Sequence, residues 1–236
     1  MARVLLFDVD GTLISAGGAG RRSIERALGR HLEPDHGPRP TWLDGMRLDG
    51  MTDRLIVRRV LEALGLAFDD ATCSRVLASY VRCLAEEIRG PGYRVLPGVE
   101  AVLPALAAAG ATVGLCTGNL REGARIKLGR GGLDRFFGFG DQDPGGFAED
   151  GEAREDIVAA ALRRTVARLG RRPERGEVLV VGDTPRDVEA ARSAGVPCLA
   201  VATGRFAAAE LRAAGADHVV PSLAAPEAAA LLGLAP

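Results

Sequence analysis

The sequence predicts a doubly wound, Rossmann-like α/β fold: a parallel sheet with helices on both faces and an all-helical insertion placed directly after the first strand. Three observations carry this. Val4–Phe7, Thr112–Cys116, 178–181 and Cys198–Val201 are short apolar runs with no polar alternation, as expected of strands covered on both faces. Each ends in a turn, and amphipathic helical stripes lie between them, the alternation that builds a parallel sheet. From 15 to about 96 that alternation stops, and helical stripes follow one another with no strand between them. The expected division is a core of residues 1–14 and 97–236, with a helical cap of residues 15–96 inserted into it.

Taken in order, the first strand runs into Asp8, and the insertion begins with Gly17, Gly18 and Gly20. Ile24, Leu28 and Leu32 mark its first helix, Ile56, Val60, Leu61 and Leu64 its second, and Leu77, Tyr80, Val81, Leu84 and Ile88 its third. Each set recurs at helical spacing and so forms one apolar stripe. Gly90, Pro91, Gly92, Pro97 and Gly98 close the insertion, and with the entry glycines they predict paired hinges. Beyond them, Val99, Val102, Leu103 and Leu106 form a core helix stopped by Gly110. Ile157, Val158, Ala161, Leu162, Val166 and Leu169 form another, stopped by Gly170.

Composition narrows the function. Of 236 residues, 47% are hydrophobic and 26% charged, enough apolar surface for a real core. Thirty basic residues against 31 acidic ones give a net charge of -1, so no global field draws the chain to nucleic acid or an anionic membrane. Lys127 is the single lysine among those 30 basic residues, which leaves 29 arginines. Cys73, Cys83, Cys116 and Cys198 form no paired motif, which argues against a disulfide framework or structural zinc and for a reducing cytoplasm. Residues 101–120 are uncharged, but Pro104, Gly110, Gly114 and Gly118 break them into helix, turn and strand. The first residues turn charged too early for a secretion signal.

In an open parallel sheet, ligands collect beyond the carboxyl ends of the strands. There the chain places Asp8, Asp10 and Thr12, then Thr117, Gly118 and Asn119, then Asp183, Thr184 and Asp187. Carboxylates at i and i+2 of a strand end point to one side, and their repulsion lets one hold a proton while the other stays ionised. That is the division needed for a nucleophile beside a general acid. Asp183 would complete a hard oxygen site of the kind Mg²⁺ prefers.

Asp8-Val9-Asp10-Gly11-Thr12-Leu13 resembles the first motif of the haloacid dehalogenase superfamily, in the form carried by its phosphatases and phosphomutases. Thr117-Gly118-Asn119 resembles the second motif, and Gly182-Asp183-Thr184-Pro185-Arg186-Asp187 the fourth. The insertion between the first two is similar to the helical cap of phosphoglycolate phosphatase-like members. The resemblance implies an Mg²⁺-dependent phosphatase acting on a small phosphate ester. Asp8 would be the nucleophile and Asp10 the general acid and base. Asp8, the backbone carbonyl of Asp10 and Asp183 would hold the metal, with Asp187 in support. Thr117, Gly118 and Asn119 would bind the phosphoryl group. The family's third motif normally supplies a lysine before the helix that leads to the fourth. Arg154 stands there, and the resemblance gives it a catalytic and phosphate-binding role. Replacing it is expected to collapse turnover with little loss of stability. Lys127, on the helix after Thr117, is expected to point away from the site.

Other readings follow from the same residues. A phosphomutase shares the motifs; a non-catalytic phospho-acceptor module would use Asp8 without turnover. A serine hydrolase built on Ser193 with Asp217 and His218 conflicts with a serine late in a helix. A Walker-type site fails because Lys127 follows Ile126 and not glycine. Asp187 with Thr184 and Pro185 makes a good helix start, and Asn119 suits a helix cap. Arg47, Arg54, Arg58 and Arg59 could reach a substrate carboxylate, but arginine is so abundant that a solvated helix face is the expectation for any one of them; the acidic stretch from Asp141 to Asp156 reads as a loop and helix start. His31, His36 and His218 show no ligand spacing.

Overall fold

Strand β1 (Val4–Phe7) lies inside a six-stranded parallel sheet. Its partners are β4 (Thr112–Cys116) and β6 (Val178–Gly182), with β5 (Gly145–Gly146) outside β4 and β7 (Cys198–Val201) and β8 (His218–Val220) outside β6. The computed structural model describes residues 3–37, 41–174 and 176–234.

The absence of polar alternation in these strands has its cause in two apolar layers. Leu5, Phe7, Leu179, Val181, Leu199 and Val201 enter one core, while Val4, Leu6, Val178, Val180, Cys198 and Ala200 enter the other. Successive side chains of a strand face opposite sides, so every position must be apolar when both sides are covered. Helices α4 (Val99–Ala108), α5 (Arg121–Gly129) and α9 (Pro226–Leu231) cover the first face. Helices α6 (Arg154–Leu169), α7 (Pro185–Ser193) and α8 (Ala208–Ala213) cover the second. Gly170 ends α6 with a φ of 67°, a left-handed residue that glycine adopts without steric cost.

Three helices fill the insertion: α1 (Ala19–His36), α2 (Asp53–Ala63) and α3 (Asp70–Glu87). The predicted stripes meet there in a separate core that includes Ile24, Leu28, Leu61, Val76, Tyr80 and Leu84. Thr52 caps α2 by accepting from Leu55 N, and Asp69 caps α3 by accepting from Thr72 N.

Four strands depart from the sequence expectation. β2 (Ile14–Ala16) and β3 (Tyr93–Val95) pair antiparallel at the base of the insertion, where no strand was expected. β5 and β8 extend the sheet at its two edges. All four have two or three residues, too short to display a period; their pairing is decided by neighbours distant in the chain. Gly17 and Gly92 lie against each other where the chain enters and leaves the insertion: a Cβ on Gly17 would fall 2.5 Å from the Gly92 carbonyl carbon.

Candidate active site

The winding changes direction beside β1. The chain goes from β1 to β4 and β5 on one side, then returns to β6, β7 and β8 on the other. The carboxyl ends of β1 and β6 therefore flank the point where an open α/β sheet leaves a crevice. Asp8 follows β1 and Asp183 follows β6. Asp8, Asp183 and Asp187 are all buried, and one carboxylate oxygen from each lies within 4.8 Å of the others. Thr12 donates to Asp183 Oδ1 at 3.0 Å. Glycine at 11 and 204 gives that carboxylate room, since a Cβ would fall 2.2 and 1.7 Å from Asp183 Oδ2 respectively.

Arg154, the first residue of α6, is buried and reaches this cluster. Its Nη2 pairs with Asp8 Oδ1 at 2.7 Å and with Asp187 Oδ1 at 2.6 Å, and its Nε also donates to Asp187 Oδ1 at 2.9 Å. The remaining oxygen of Asp187 accepts from Thr184 N at 3.0 Å and Thr184 Oγ1 at 2.8 Å, closing a capping box at the start of α7. One carboxylate thus starts a helix and fixes the guanidinium. Burial pushes the Asp8 carboxyl up to about 6, against the pull of Arg154 and with a further rise from Asp187. Burial and the neighbouring Asp8 and Asp187 hold the Asp183 carboxyl well above its ordinary range. Three buried carboxylates against one guanidinium leave an excess of negative charge, and such a set of hard oxygen donors suits a divalent cation.

The other half of the site follows β4. Thr117 is fully buried, and its Oγ1 accepts from Asn119 Nδ2 at 2.8 Å. Asn119 Nδ2 also donates to Asp10 Oδ2 at 2.9 Å. Lys127 overturns the sequence expectation: it is buried in α5, and its Nζ donates to Asp10 Oδ2 at 2.6 Å and to Asn119 Oδ1 at 2.5 Å. The expected geometry failed because α5 begins at Arg121, directly after the strand-end loop. Six residues into that helix a long side chain still reaches back, since side chains lean toward the helix N-terminus. Asn119 does not cap α5; the N-cap is Leu120, with no side-chain cap bond, and the amide is spent on Thr117, Asp10 and Lys127.

A cavity of about 550 Å³ joins these groups to the insertion, with Asp8, Asp10, Thr117, Gly118, Lys127, Arg154 and Asp183 on the core side. Arg21, Arg47, Met51, Asp53, Tyr80 and Arg94 are among those on the other. Asp53 seats α2 on the second loop: its N donates to Gly118 O at 2.8 Å and its Oδ2 accepts from Leu120 N at 2.8 Å. Gly118 must lack a side chain because a Cβ would fall 2.3 Å from Met51 O.

Residues 2–195 match the haloacid dehalogenase-like hydrolase family. The chain belongs to that family. The hydrolase is 34% identical over 212 residues to a phosphoglycolate phosphatase of Rhodospirillum rubrum, covering 86% of this chain and 81% of the relative. It is 30% identical over 205 residues to one of Synechococcus elongatus, covering 86% and 84%. CbbY from Rhodobacter sphaeroides, solved in complex with phosphate, shares the fold with a TM-score of 0.72 at 17% identity, covering 99% of this chain and 100% of that chain.

Several side chains of this hydrolase have plainer environments than the site. Arg54 and Arg58, expected on a solvated face, reach across to Glu152 at 3.1 and 2.6 Å and hold α2 to the segment before α6. Arg59 pairs with Glu62 at the surface, as a solvated residue should. Arg47 and Arg94 are exposed in the cavity wall and have no hydrogen-bond or ion-pair partner among the described residues. All four cysteines are free and buried. Ser193 is exposed at the end of α7, and its side chain makes no hydrogen bond among the described residues. His31 Nε2 shares a 2.8 Å hydrogen bond with Ser79, and His218 is exposed in β8; the side chain of His36 lies outside the described residues. Among the described residues no helix is long and apolar enough to cross a membrane.

Sequence reasoning missed Lys127 and Asp53. A signal for the first was present, since a chain that writes 29 of its 30 basic residues as arginine has a reason for the exception. Asp53 carried none, because an acid at the first turn of a helix is ordinary capping chemistry.

Proposed function

We propose that this hydrolase is an Mg²⁺-dependent phosphatase that cleaves a small phosphomonoester through phosphoryl transfer to Asp8. The observation that carries the reading is the convergence of Asp8, Asp183 and Arg154 at one buried point, with Asp10 facing the same cavity. Asp8 and Asp183 would hold the cation; both oxygens of Asp187 are engaged by Arg154 and Thr184, so its part is to fix Arg154. When bound, Mg²⁺ supplies positive charge that offsets the repulsion between a carboxylate and a phosphate dianion.

The protein groups do the rest. An Asp8 oxygen attacks phosphorus, the bond from phosphorus to the ester oxygen breaks, and Asp10 gives that oxygen a proton. The Arg154 guanidinium and the Thr117 hydroxyl bind phosphoryl oxygens where charge accumulates. Asp10 then takes a proton from the water that attacks the phosphoryl group on Asp8, which restores both carboxyls and releases phosphate. The names of the two relatives and the unpaired Arg47 and Arg94 in the cavity wall support an ester whose leaving group carries a carboxylate, phosphoglycolate being the first to test.

The test is phosphate release from a panel of phosphomonoesters with Mg²⁺ or with EDTA, by the wild type and Asp8→Asn. The expected result is turnover that needs Mg²⁺ and is absent in Asp8→Asn. Wild-type rates in that variant refute the mechanism, and isomerisation of a sugar phosphate without net phosphate release would make the protein a mutase.

A further inference from the structure

Lys127 is the chain's single lysine, and its place in the structure explains the exception. Its side chain is buried to 5% exposure, between the core loop after β4 and the helices of the insertion. A Cβ on Gly20 of α1 would lie 3.4 Å from its Nζ, an ordinary contact distance, so α1 passes close over the ammonium. A guanidinium is planar and branched where an ammonium is compact, and it is the compact ammonium that meets Asp10 Oδ2 and Asn119 Oδ1 at one buried point. A buried charge is costly unless paired, and where packing alone is needed an apolar residue of similar volume does as well or better. Its partners therefore account for it.

Those partners are two residues of the reaction centre. The ammonium has three donors and no acceptor, so the Asn119 oxygen must face it and the amide nitrogen must face Asp10 and Thr117. Asp10 Oδ2 thereby accepts two bonds, at 2.6 Å from Lys127 and 2.9 Å from Asn119. No hydrogen bond to Asp10 Oδ1 is made among the described residues. The side chain is 41% exposed toward the cavity. Proton transfer needs the acid within about 2.6–3.2 Å of the leaving oxygen, and a half-exposed aspartate held at neither oxygen would rotate among several positions.

We infer that Lys127 is a positioning residue for proton transfer, holding Asp10 by one oxygen and orienting Asn119 so that the other oxygen faces the leaving group. The inference rests on the phosphatase reading above. It places a residue of the helix after the second motif in control of the acid supplied by the first, and it separates the two cations of the site. Arg154 addresses the nucleophile; Lys127 addresses the acid.

The experiment compares kcat/KM for p-nitrophenyl phosphate, whose leaving group departs as a stable anion without a proton, and for an alkyl phosphomonoester, whose leaving group needs one. General acid catalysis contributes about 10²–10⁴-fold. Lys127→Met is expected to lose on the order of 10² on the alkyl ester and about tenfold or less on the aryl ester. In an Asp10→Asn background it should add nothing to this discrimination, because the two act as one unit. Lys127→Gln, which retains a donor on a side chain one bond shorter, should fall between Lys127→Met and wild type. Equal losses on the two esters, no loss on either, or failure of both single variants to fold would assign Lys127 to the fold and overturn the inference. A wild type inactive on both esters with Mg²⁺ would refute the phosphatase reading itself, a result visible before any variant is made.

Discussion

Replacing Arg154 by methionine removes a guanidinium whose partners, Asp8 and Asp187, are themselves buried. At an effective dielectric of about 20 and a charge separation of about 4 Å, each pair is worth about 4 kcal/mol in gross Coulomb energy. The desolvation of the guanidinium offsets several kcal/mol of the total of about 8 kcal/mol, and breaking such a buried pair typically costs about 3–5 kcal/mol net. The metal-free variant should therefore be less stable by about 3–5 kcal/mol, in contrast to the small loss expected from the sequence for a catalytic arginine. Asp8, already held up to about 6 by burial with Arg154 opposing, will be raised further, so the variant's stability should fall more steeply than that of the wild type as pH rises. Mg²⁺ should restore part of the loss, because a cation held by Asp8 and Asp183 supplies positive charge beside the carboxylates that Arg154 has left. Urea unfolding at two pH values, in EDTA and in Mg²⁺, measures this, and kcat/KM should drop by about 10²-fold or more. A variant with the wild-type urea midpoint in EDTA, or with wild-type kcat/KM, would refute the argument.

Gly204→Ala places a Cβ 1.7 Å from Asp183 Oδ2; the carboxylate must shift, and the Mg²⁺ concentration for half-maximal activity should rise about tenfold or more for a ligand so displaced, as a metal titration of the rate would show. Asp53 is held up to about 6 from 3.8 by burial, against Lys127 and the Leu120 N–H. The folded state then binds its proton more tightly than the unfolded chain does, so its contribution is complete below about 4 and is lost as pH rises to about 6, by roughly 3 kcal/mol for about two units. Asp53→Asn should therefore gain on the wild type between acid and neutral pH in urea unfolding, and parallel curves would contradict this. Replacing Arg47 and Arg94 together by alanine should raise KM for a carboxylate-bearing ester while leaving p-nitrophenyl phosphate nearly as before; an equal change for both would remove them from substrate recognition.

The sequence by itself determined the parts that depend on local pattern. The four long strands of the sheet are uninterrupted apolar runs because both faces are covered, and the three helices of the insertion are stripes because one face is. Asp8, Asp10, Thr117 and Asp183 were legible because a parallel sheet sends every strand end to one edge. Arg154 was legible as the first residue of the helix that opens beside that edge. Tertiary structure alone decided the rest. The strands β2, β3, β5 and β8 have too few residues to carry a period and exist because a partner from elsewhere in the chain lies beside them. Asp187 was divided between helix cap and metal support in the sequence; folded, one oxygen closes the cap with Thr184 and the other holds Arg154 on a different element. Lys127 is the plainest case. Its distance from Asp10 is 117 residues along the chain and 2.6 Å in space, and nothing in local pattern encodes which of a helix's faces will close over a carboxylate supplied by another strand.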